Sequence, residues 1–187
     1  AVADHVLKNE KGNTVSNLSS TRALRDVTES HNCEYNASAV GEVNVVKLMK
    51  ETNAIIGGEG NGGIIFPELH YGRDALIGIA LFLTHYANEG KSMSDLKNSY
   101  PSYTISKNKI ELTSNIDIDS ILNKISLKYK DNPQNIIDGL KIELNNEWVH
   151  LRKSNTEPII RIYSESSSET KAHQLGNRFI NEINSII

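Results

Sequence analysis

The chain has 187 residues, enough for one ordinary domain or two small ones with a genuine core. Its 20 Lys and Arg against 23 Asp and Glu leave a formal charge of -3, which argues against a general nucleic-acid binder and against a polybasic membrane anchor. A hydrophobic share of 38% with a mean hydropathy of -0.40 fits a folded soluble chain, no run reaches the roughly 18 apolar residues of a membrane span, and the solitary Cys33 excludes an internal disulfide or a Cys-based zinc site.

The N-terminal AVADHVLKN reads as a helix on Val2, Val6 and Leu7. With Ala as residue 1 and Met only at positions 49 and 93, the chain is expected to be cut or cleaved from something longer. No basic region followed by an apolar stretch opens it, so a secretory signal is not expected and a cytoplasmic origin is the default. NTVSNLS reads as a strand, and Ser20 or Thr21 can cap a helix through TRALRDVTESHN, with Ala23, Leu24 and Val27 on one face. EYNASAV is a weak strand. VNVVKLMKE is a helix with Val43, Val46 and Met49 aligned, AIIGG is a short buried strand of parallel type, and IIF is another strand ended by Pro67. From Arg73 to Asn88 runs the strongest helical pattern, with Leu76, Ile79, Ala80, Leu83 and Ala87 in one stripe. Ile77, Leu81 and Phe82 extend it nearly all round, which predicts packing on more than one side. Strand–helix alternation of this kind predicts an α/β layered domain over residues 1–98.

The polar stretch SMSDLKNSYPSY, closed by Tyr100-Pro101, marks a boundary. Beyond it, SYTISKNKIEL alternates as a strand, and Asp117 or Asp119 caps a helix with Ile118, Ile121, Leu122 and Ile125 inward. IIDGLKIEL, EWVHLRK and PIIRIYSE are three strands, the first two joined at Asn145-Asn146, and a last helix carries Ala172, Leu175, Phe179 and Ile183 inward. Residues 99–187 therefore read β-α-β-β-β-α, an α+β domain with one antiparallel sheet and two helices on one face. Trp148 is expected in the core.

Two loops carry candidate chemistry. Residues 57–63, GGEGNGG, place five glycines in seven positions directly after a buried strand. Glu59 and Asn61 are its only side chains. A carboxylate that accepts and an amide that donates and accepts suit sugar hydroxyls better than phosphate, which a carboxylate repels. The plain alternative is a wide turn with glycines for geometry alone. Gly58, Gly60 and Gly63 also fit G-x-G-x-x-G, but that dinucleotide fingerprint must open a helix, and IIFP follows. The second loop is Arg152-Lys153-Ser154-Asn155-Thr156-Glu157-Pro158, with Arg161 just beyond. Hydroxyls, an amide, backbone N–H groups and two guanidiniums make a dianion receptor. A hairpin loop paired to Glu157 and Glu165 is the bland reading. Arg161 alternates with Ile160 and Ile162 and points away from them.

Taken together, GGEGNGG, HYGRDALIGIALFL and LRKSNTEPIIRIY resemble the α-D-phosphohexomutase family, which comprises phosphomannomutase/phosphoglucomutase and phosphoglucosamine mutase. The resemblance covers essentially the whole chain as the family's third and fourth domains, and it implies a TATA-box-binding-protein-like fold for the fourth. R-x-S-N-T-E-P matches the family's phosphate-binding loop, which gives Arg152, Ser154, Asn155 and Thr156, with Arg161 as an addition, to the substrate's non-reacting phosphate. The third-domain sugar loop reads roughly G-E-x-S-G-H. Glu59 aligns with its Glu, Asn61 stands where Ser is usual, and Gly63 stands where His is usual. Ala39-Val40-Gly41-Glu42 resembles another substrate-facing loop of that domain.

The resemblance further implies an enzyme that interconverts hexose or hexosamine 1-phosphate and 6-phosphate through a bisphosphate intermediate, with a magnesium-bound phosphoserine. The serine loop, T-A-S-H-N-P-like, and the magnesium loop, D-G-D-x-D-R-like, do not occur in these residues. The expectation is a carboxy-terminal fragment that contains no catalytic nucleophile, binds no metal itself and is inactive alone. Its partners would be the phosphosugar and the amino-terminal domains of the same protein, with no nucleic acid and no membrane. The alternatives are a non-catalytic phosphosugar-binding module, or an NAD-dependent enzyme built on the glycine loop. His5, His70, His85, His150 and His173 show no ligand spacing.

Overall fold

The computed structural model describes residues 1–112, 116–154 and 157–187. The chain divides into two compact units, Ala1–Ser102 and Tyr103–Ile187.

In the first unit, β1 (Thr14–Asn17) lies between β2 (Tyr35–Ser38) and β3 (Ile56–Gly58), parallel to both, and β4 (Ile64–Ile65) adds antiparallel to β3. The helices are α1 (Val2–Asn9), α2 (Ala23–Ser30), α3 (Glu42–Thr52), α4 (Ala75–Glu89) and α5 (Met93–Asn98). α3 packs on β1, β2 and β3, while α1 packs against α2 and α4. Parallel strands need crossovers, and α2 and α3 supply them. The chain leaves β1 for β2 on one side and then returns across β1 to β3 on the other, so the strand order reverses at β1. Val15 and Ile65 meet Val45 and Met49 in the core.

Three sequence expectations are corrected here. α3 turns Val45 and Met49 inward, four residues apart, while Val43 is exposed. The stripe Leu76, Ile79 and Leu83 of α4 faces outward at 79%, 55% and 55% exposure, and the inward side carries Ile77, Leu81, Phe82 and the buried His85. A helix apolar nearly all round offers no contrast from which periodicity can pick a face. The polar stretch before Pro101 contains α5, with Ser92 Oγ accepting from the Asp95 N–H as cap and Leu96 buried as its anchor. Tyr100 then returns to the body of the unit, donating to Asp4 Oδ2 at 2.8 Å and meeting His85 Nε2 at 2.5 Å.

The second unit is a five-stranded sheet in the order β5-β9-β8-β7-β6, antiparallel throughout. Its strands are β5 (Thr104–Glu111), β6 (Gln134–Asn135), β7 (Leu140–Leu144), β8 (Glu147–Lys153) and β9 (Ile159–Ser166). Two helices, α6 (Ile118–Lys128) and α7 (Glu169–Asn184), complete it. Asp117 caps α6 by accepting from the Asp119 and Ser120 N–H groups, and α6 buries Ile118, Ile121, Leu122 and Ile125. α7 buries Ala172, Leu175, Phe179 and Ile183, and both helices share one core with Ile110, Ile142, Val149, Leu151, Ile160 and Ile162. Trp148 is fully buried and donates to Glu165 Oε1 at 2.7 Å. The strand expected from Ile136 begins only at Leu140; Ile136 and Ile137 stay exposed in the connection from the short edge strand β6. Asn145 takes the left-handed φ of 55° that the β7–β8 turn requires.

Candidate functional site

The glycine loop closes the β3–β4 hairpin. Gly58 pairs with Ile64, the Glu59 N–H donates to the Gly63 carbonyl at 3.0 Å, and the Gly62 N–H donates to the Glu59 carbonyl at 3.0 Å. A side chain on Gly58 would overlap the Gly63 carbonyl, so glycine is a packing requirement there. A loop that closes an antiparallel hairpin does not open a helix, and it therefore lacks the geometry a dinucleotide fingerprint needs.

Glu59 begins the loop at the carboxyl end of β3, beside the carboxyl end of β1. In open α/β sheets that edge, where the strand order reverses, is the usual place for a ligand. A cavity of about 120 Å³ opens there, lined by the apolar Ala3, Leu24, Ile56 and Ile64 beside Ser16, Ser20 and Glu59. The Glu59 side chain is only 9% exposed. Asn17 Nδ2 donates to Glu59 Oε1 at 3.0 Å, and Arg73 Nη1 stands 3.4 Å from Oε2. Asn17 is itself fixed, because its Oδ1 accepts from the Ser19 N–H and from Ser20 Oγ at 3.0 Å each. Both Glu59 oxygens thus have a donor, and a carboxylate with about four acceptor sites keeps the rest for a ligand. Asn61 is exposed, and its Oδ1 accepts from the Gly63 N–H at 3.0 Å, which leaves its NH₂ as the outward donor.

The 39–42 loop meets the same place. Arg73 donates from its backbone N–H to Glu42 Oε1 at 2.9 Å and from Nε to Oε2 at 2.7 Å. These contacts hold the Glu42 carboxyl below its usual range, the backbone bond contributing most. Arg73 therefore ties Glu42 to Glu59. Sequence reasoning missed both Arg73 and Asn17. The one signal was their placement, a polar residue ending the first strand and a cation just before the strongest helix.

In the second unit, Arg152 of β8 and Arg161 of β9 are direct cross-strand partners, and Lys109 of β5 continues the row beside Arg161. Arg161 is half-buried and lies on the opposite face from Ile160 and Ile162, which are in the core, as the alternation requires. Arg152 pairs with Asp138, Nε to Oδ1 at 3.5 Å. Gly139 explains how Asp138 gets there. Its φ is +81°, and a Cβ on it would overlap the Leu151 carbonyl, so only glycine lets this connection lie against β8. The Asp138 carbonyl also meets His150 Nε2 at 2.7 Å, and burial brings the His150 imidazole down to about 4 despite that bond. Ser154 is buried, its N–H donating to the Ile159 carbonyl at 3.1 Å. Asn155 and Thr156 lie outside the described residues.

The histidines are engaged in packing pairs: His70 with Asp74, His173 with Ser106 Oγ, His85 with Tyr100, and His5 edge-on to His85. Among the described residues no group of three or more His, Cys, Asp or Glu could hold a metal ion, and no helix is long and apolar enough to cross a membrane.

Comparison with known proteins agrees with this architecture. The model of the phosphoglucomutase/phosphomannomutase alpha/beta/alpha domain III matches residues 1–103, and that of the phosphoglucomutase/phosphomannomutase C-terminal domain matches residues 111–182. A phosphoglucomutase/phosphomannomutase of Thermococcus kodakarensis is 35% identical over 187 residues, spanning 97% of this chain and 41% of its own. A phosphoglucosamine/phosphogalactosamine mutase of Sulfurisphaera tokodaii is 33% identical over 175 residues, spanning 92% and 38%. A solved phosphoglucomutase/phosphomannomutase family protein from Burkholderia thailandensis shares the fold, with a TM-score of 0.76 at 22% identity over 98% of this chain and 40% of its own. The chain thus spans about two fifths of the relatives it matches. It belongs to the phosphoglucomutase/phosphomannomutase family, corresponding to that family's third and carboxy-terminal domains.

Proposed function

We propose that this chain is the substrate-holding part of a phosphohexomutase that interconverts hexose or hexosamine 1-phosphate and 6-phosphate through a bisphosphate intermediate. The observation that carries the sugar half is Glu59, a nearly enclosed carboxylate fixed at both oxygens beside a cavity at the carboxyl ends of β1 and β3. Such a group accepts hydrogen bonds from sugar hydroxyls with little reorganisation, and Asn61 adds a donor. Arg152, Ser154, Asn155 and Thr156, with Arg161, take the non-reacting phosphate, with the guanidiniums supplying charge-assisted bonds. Because the intermediate turns round between the two phosphoryl transfers, the sugar loop must read hydroxyls in both orientations and the phosphate loop must take either phosphate. Positioning and electrostatic stabilisation are what phosphoryl transfer chiefly demands of a protein.

Relatives support the substrate class. The Aspergillus fumigatus N-acetylphosphoglucosamine mutase has been solved with GlcNAc-6P and magnesium, and its serine-to-alanine variant with glucose 1,6-bisphosphate. The residues described here do not fit a magnesium site, and in this proposal their part in the reaction is binding. The phosphorylated serine and the magnesium ligands belong to amino-terminal domains of the same protein. The test is the encoding reading frame and its product. A serine loop and an Asp-rich loop upstream, with turnover of glucose, mannose or glucosamine 1-phosphate that falls in Glu59→Ala and Arg152→Ala, is the expected result. Absence of both loops, or turnover indifferent to these two residues, would refute the proposal.

A further inference from the structure

Gly63 leaves the end of the loop without a side chain, and its Cα faces the stem of Arg73. Arg73 fills the space. It lies just before α4, its main chain bridged to Ile65, and the following Asp74 N–H donates to the Ile64 carbonyl at 2.9 Å. A Cβ on Gly63 would sit 2.5 Å from Arg73 Cδ and 3.0 Å from its Cγ. A side chain at position 63 and Arg73 in this placement are therefore mutually exclusive. Beyond that contact the guanidinium reaches Glu42 through Nε at 2.7 Å and Glu59 through Nη1 at 3.4 Å, and the side chain remains 46% exposed. A guanidinium has five N–H donors in a rigid fork, and these two contacts occupy only part of it.

We propose that Arg73 is a specificity-determining residue of the sugar loop: it occupies the room left by Gly63, pins the Glu59 carboxylate, and donates to a sugar hydroxyl adjacent to the one that Glu59 accepts from. A vicinal diol suits such a pair, because each hydroxyl both donates and accepts, and the pair presents an acceptor and a donor side by side. The ligand end read here is polyol, not phosphate. Glu42 and Glu59 together outnumber the single cation, and a dianion would be repelled. This inference rests on the reading of 57–63 as the sugar loop.

Calorimetry on the 187-residue chain with glucose 1-phosphate and with inorganic phosphate tests it. Arg73→Ala should weaken glucose 1-phosphate roughly tenfold, the scale of one charge-assisted bond, while inorganic phosphate affinity holds. Arg73→Lys should recover only part, since one ammonium cannot serve Glu59, Glu42 and a hydroxyl in fork geometry. Gly63→Ser should reproduce the selective loss with Arg73 still present, because the new Cβ displaces its stem. If Arg73→Ala leaves glucose 1-phosphate unchanged while Glu59→Ala weakens it, Arg73 is a surface ion-pair partner, the inference falls, and the sugar loop stands. If neither variant matters, the sugar-loop reading falls with it. Equal loss of both ligands would assign Arg73 a structural role and overturn the inference.

Discussion

Replacing Asp138 by Asn should tighten the phosphate binding proposed for residues 152–161. Asp138 is the carboxylate that pairs with Arg152, Oδ1 to Nε at 3.5 Å, with the two side chains 25% and 23% exposed. A partly screened pair of this kind contributes on the order of 0.2–1 kcal/mol. An incoming phosphate must compete with it, so removing the charge should raise affinity by up to about fivefold, at about 1.4 kcal/mol per factor of ten. The substitution keeps the main-chain carbonyl that meets His150, so the packing beside β8 is unaltered. Arg152→Ala removes the guanidinium itself and with it about 1.5–3 kcal/mol of charge-assisted bonding, a loss of roughly ten- to a hundredfold. Arg152→Lys should fall between, since the bidentate fork is lost. Titration with inorganic phosphate at low salt reads all three, and affinity should fall as salt rises, because an exposed ion contact is screened over about 10 Å at 0.1 M. If Asp138→Asn and Arg152→Ala both leave phosphate affinity where it was, Arg152 serves the β8 edge and not an anion.

Further outcomes are expected elsewhere. In the full-length mutase proposed above, Glu59→Ala should lower kcat/KM more than Asn61→Ala, by about 1.5–3 against roughly 1 kcal/mol, because Glu59 is enclosed and charged while the Asn61 carbonyl is already committed to Gly63; steady-state kinetics that show equal losses would count against it. The purified chain alone should give no turnover of glucose, mannose or glucosamine 1-phosphate with or without magnesium, and activity that a substitution within the chain abolishes would contradict this. Burial alone would raise the Asp4 carboxyl, but hydrogen bonds from His31, Tyr100 and Lys8 outweigh it and bring it down to about 2 from 3.8. Its stabilisation is therefore complete above the unfolded value and lost as pH falls toward 2, so Asp4→Asn should melt early at pH 7 and the gap from the native chain should close in acid. A gap that is constant with pH in thermal scans would rule this out. Phe179, fully buried and stacked on Tyr129 at 5.0 Å between ring centres, should cost about 3–5 kcal/mol as Ala in denaturant unfolding of the second unit.

Much of the architecture was legible because local signals and burial agreed. β5 alternates between buried and more exposed positions, Asp117 caps α6, and Asn145-Asn146 sits in the turn where a left-handed residue is needed. Where the sequence misled, burial had no contrast to offer. α4 is apolar on nearly every side, so its outward stripe read as the inward one. α5 is polar except for Leu96, and its place depends on that single anchor and the Ser92 cap. Within the candidate site, Glu59 and Asn61 were visible because glycines isolate them. Arg73 and Asn17 were not, because what makes them matter is contact across 14 and 42 positions of chain, a tertiary relation that no local pattern encodes. The same holds for Asp138, which reaches Arg152 only because Gly139 lets its connection lie against β8.

The central proposal is that each unit carries one loop of distinct chemistry, residues 57–63 for sugar hydroxyls and residues 152–161 for phosphate. NMR titration of the ¹⁵N-labelled chain with glucose 1-phosphate, followed by inorganic phosphate, tests it most directly. The account predicts that glucose 1-phosphate shifts the amides of 57–63 and of 152–161, whereas inorganic phosphate shifts only the second set and loses that effect in Arg152→Ala. Amides at 57–63 that stay unmoved by the sugar phosphate, or shifts at 152–161 that persist without Arg152, would contradict it.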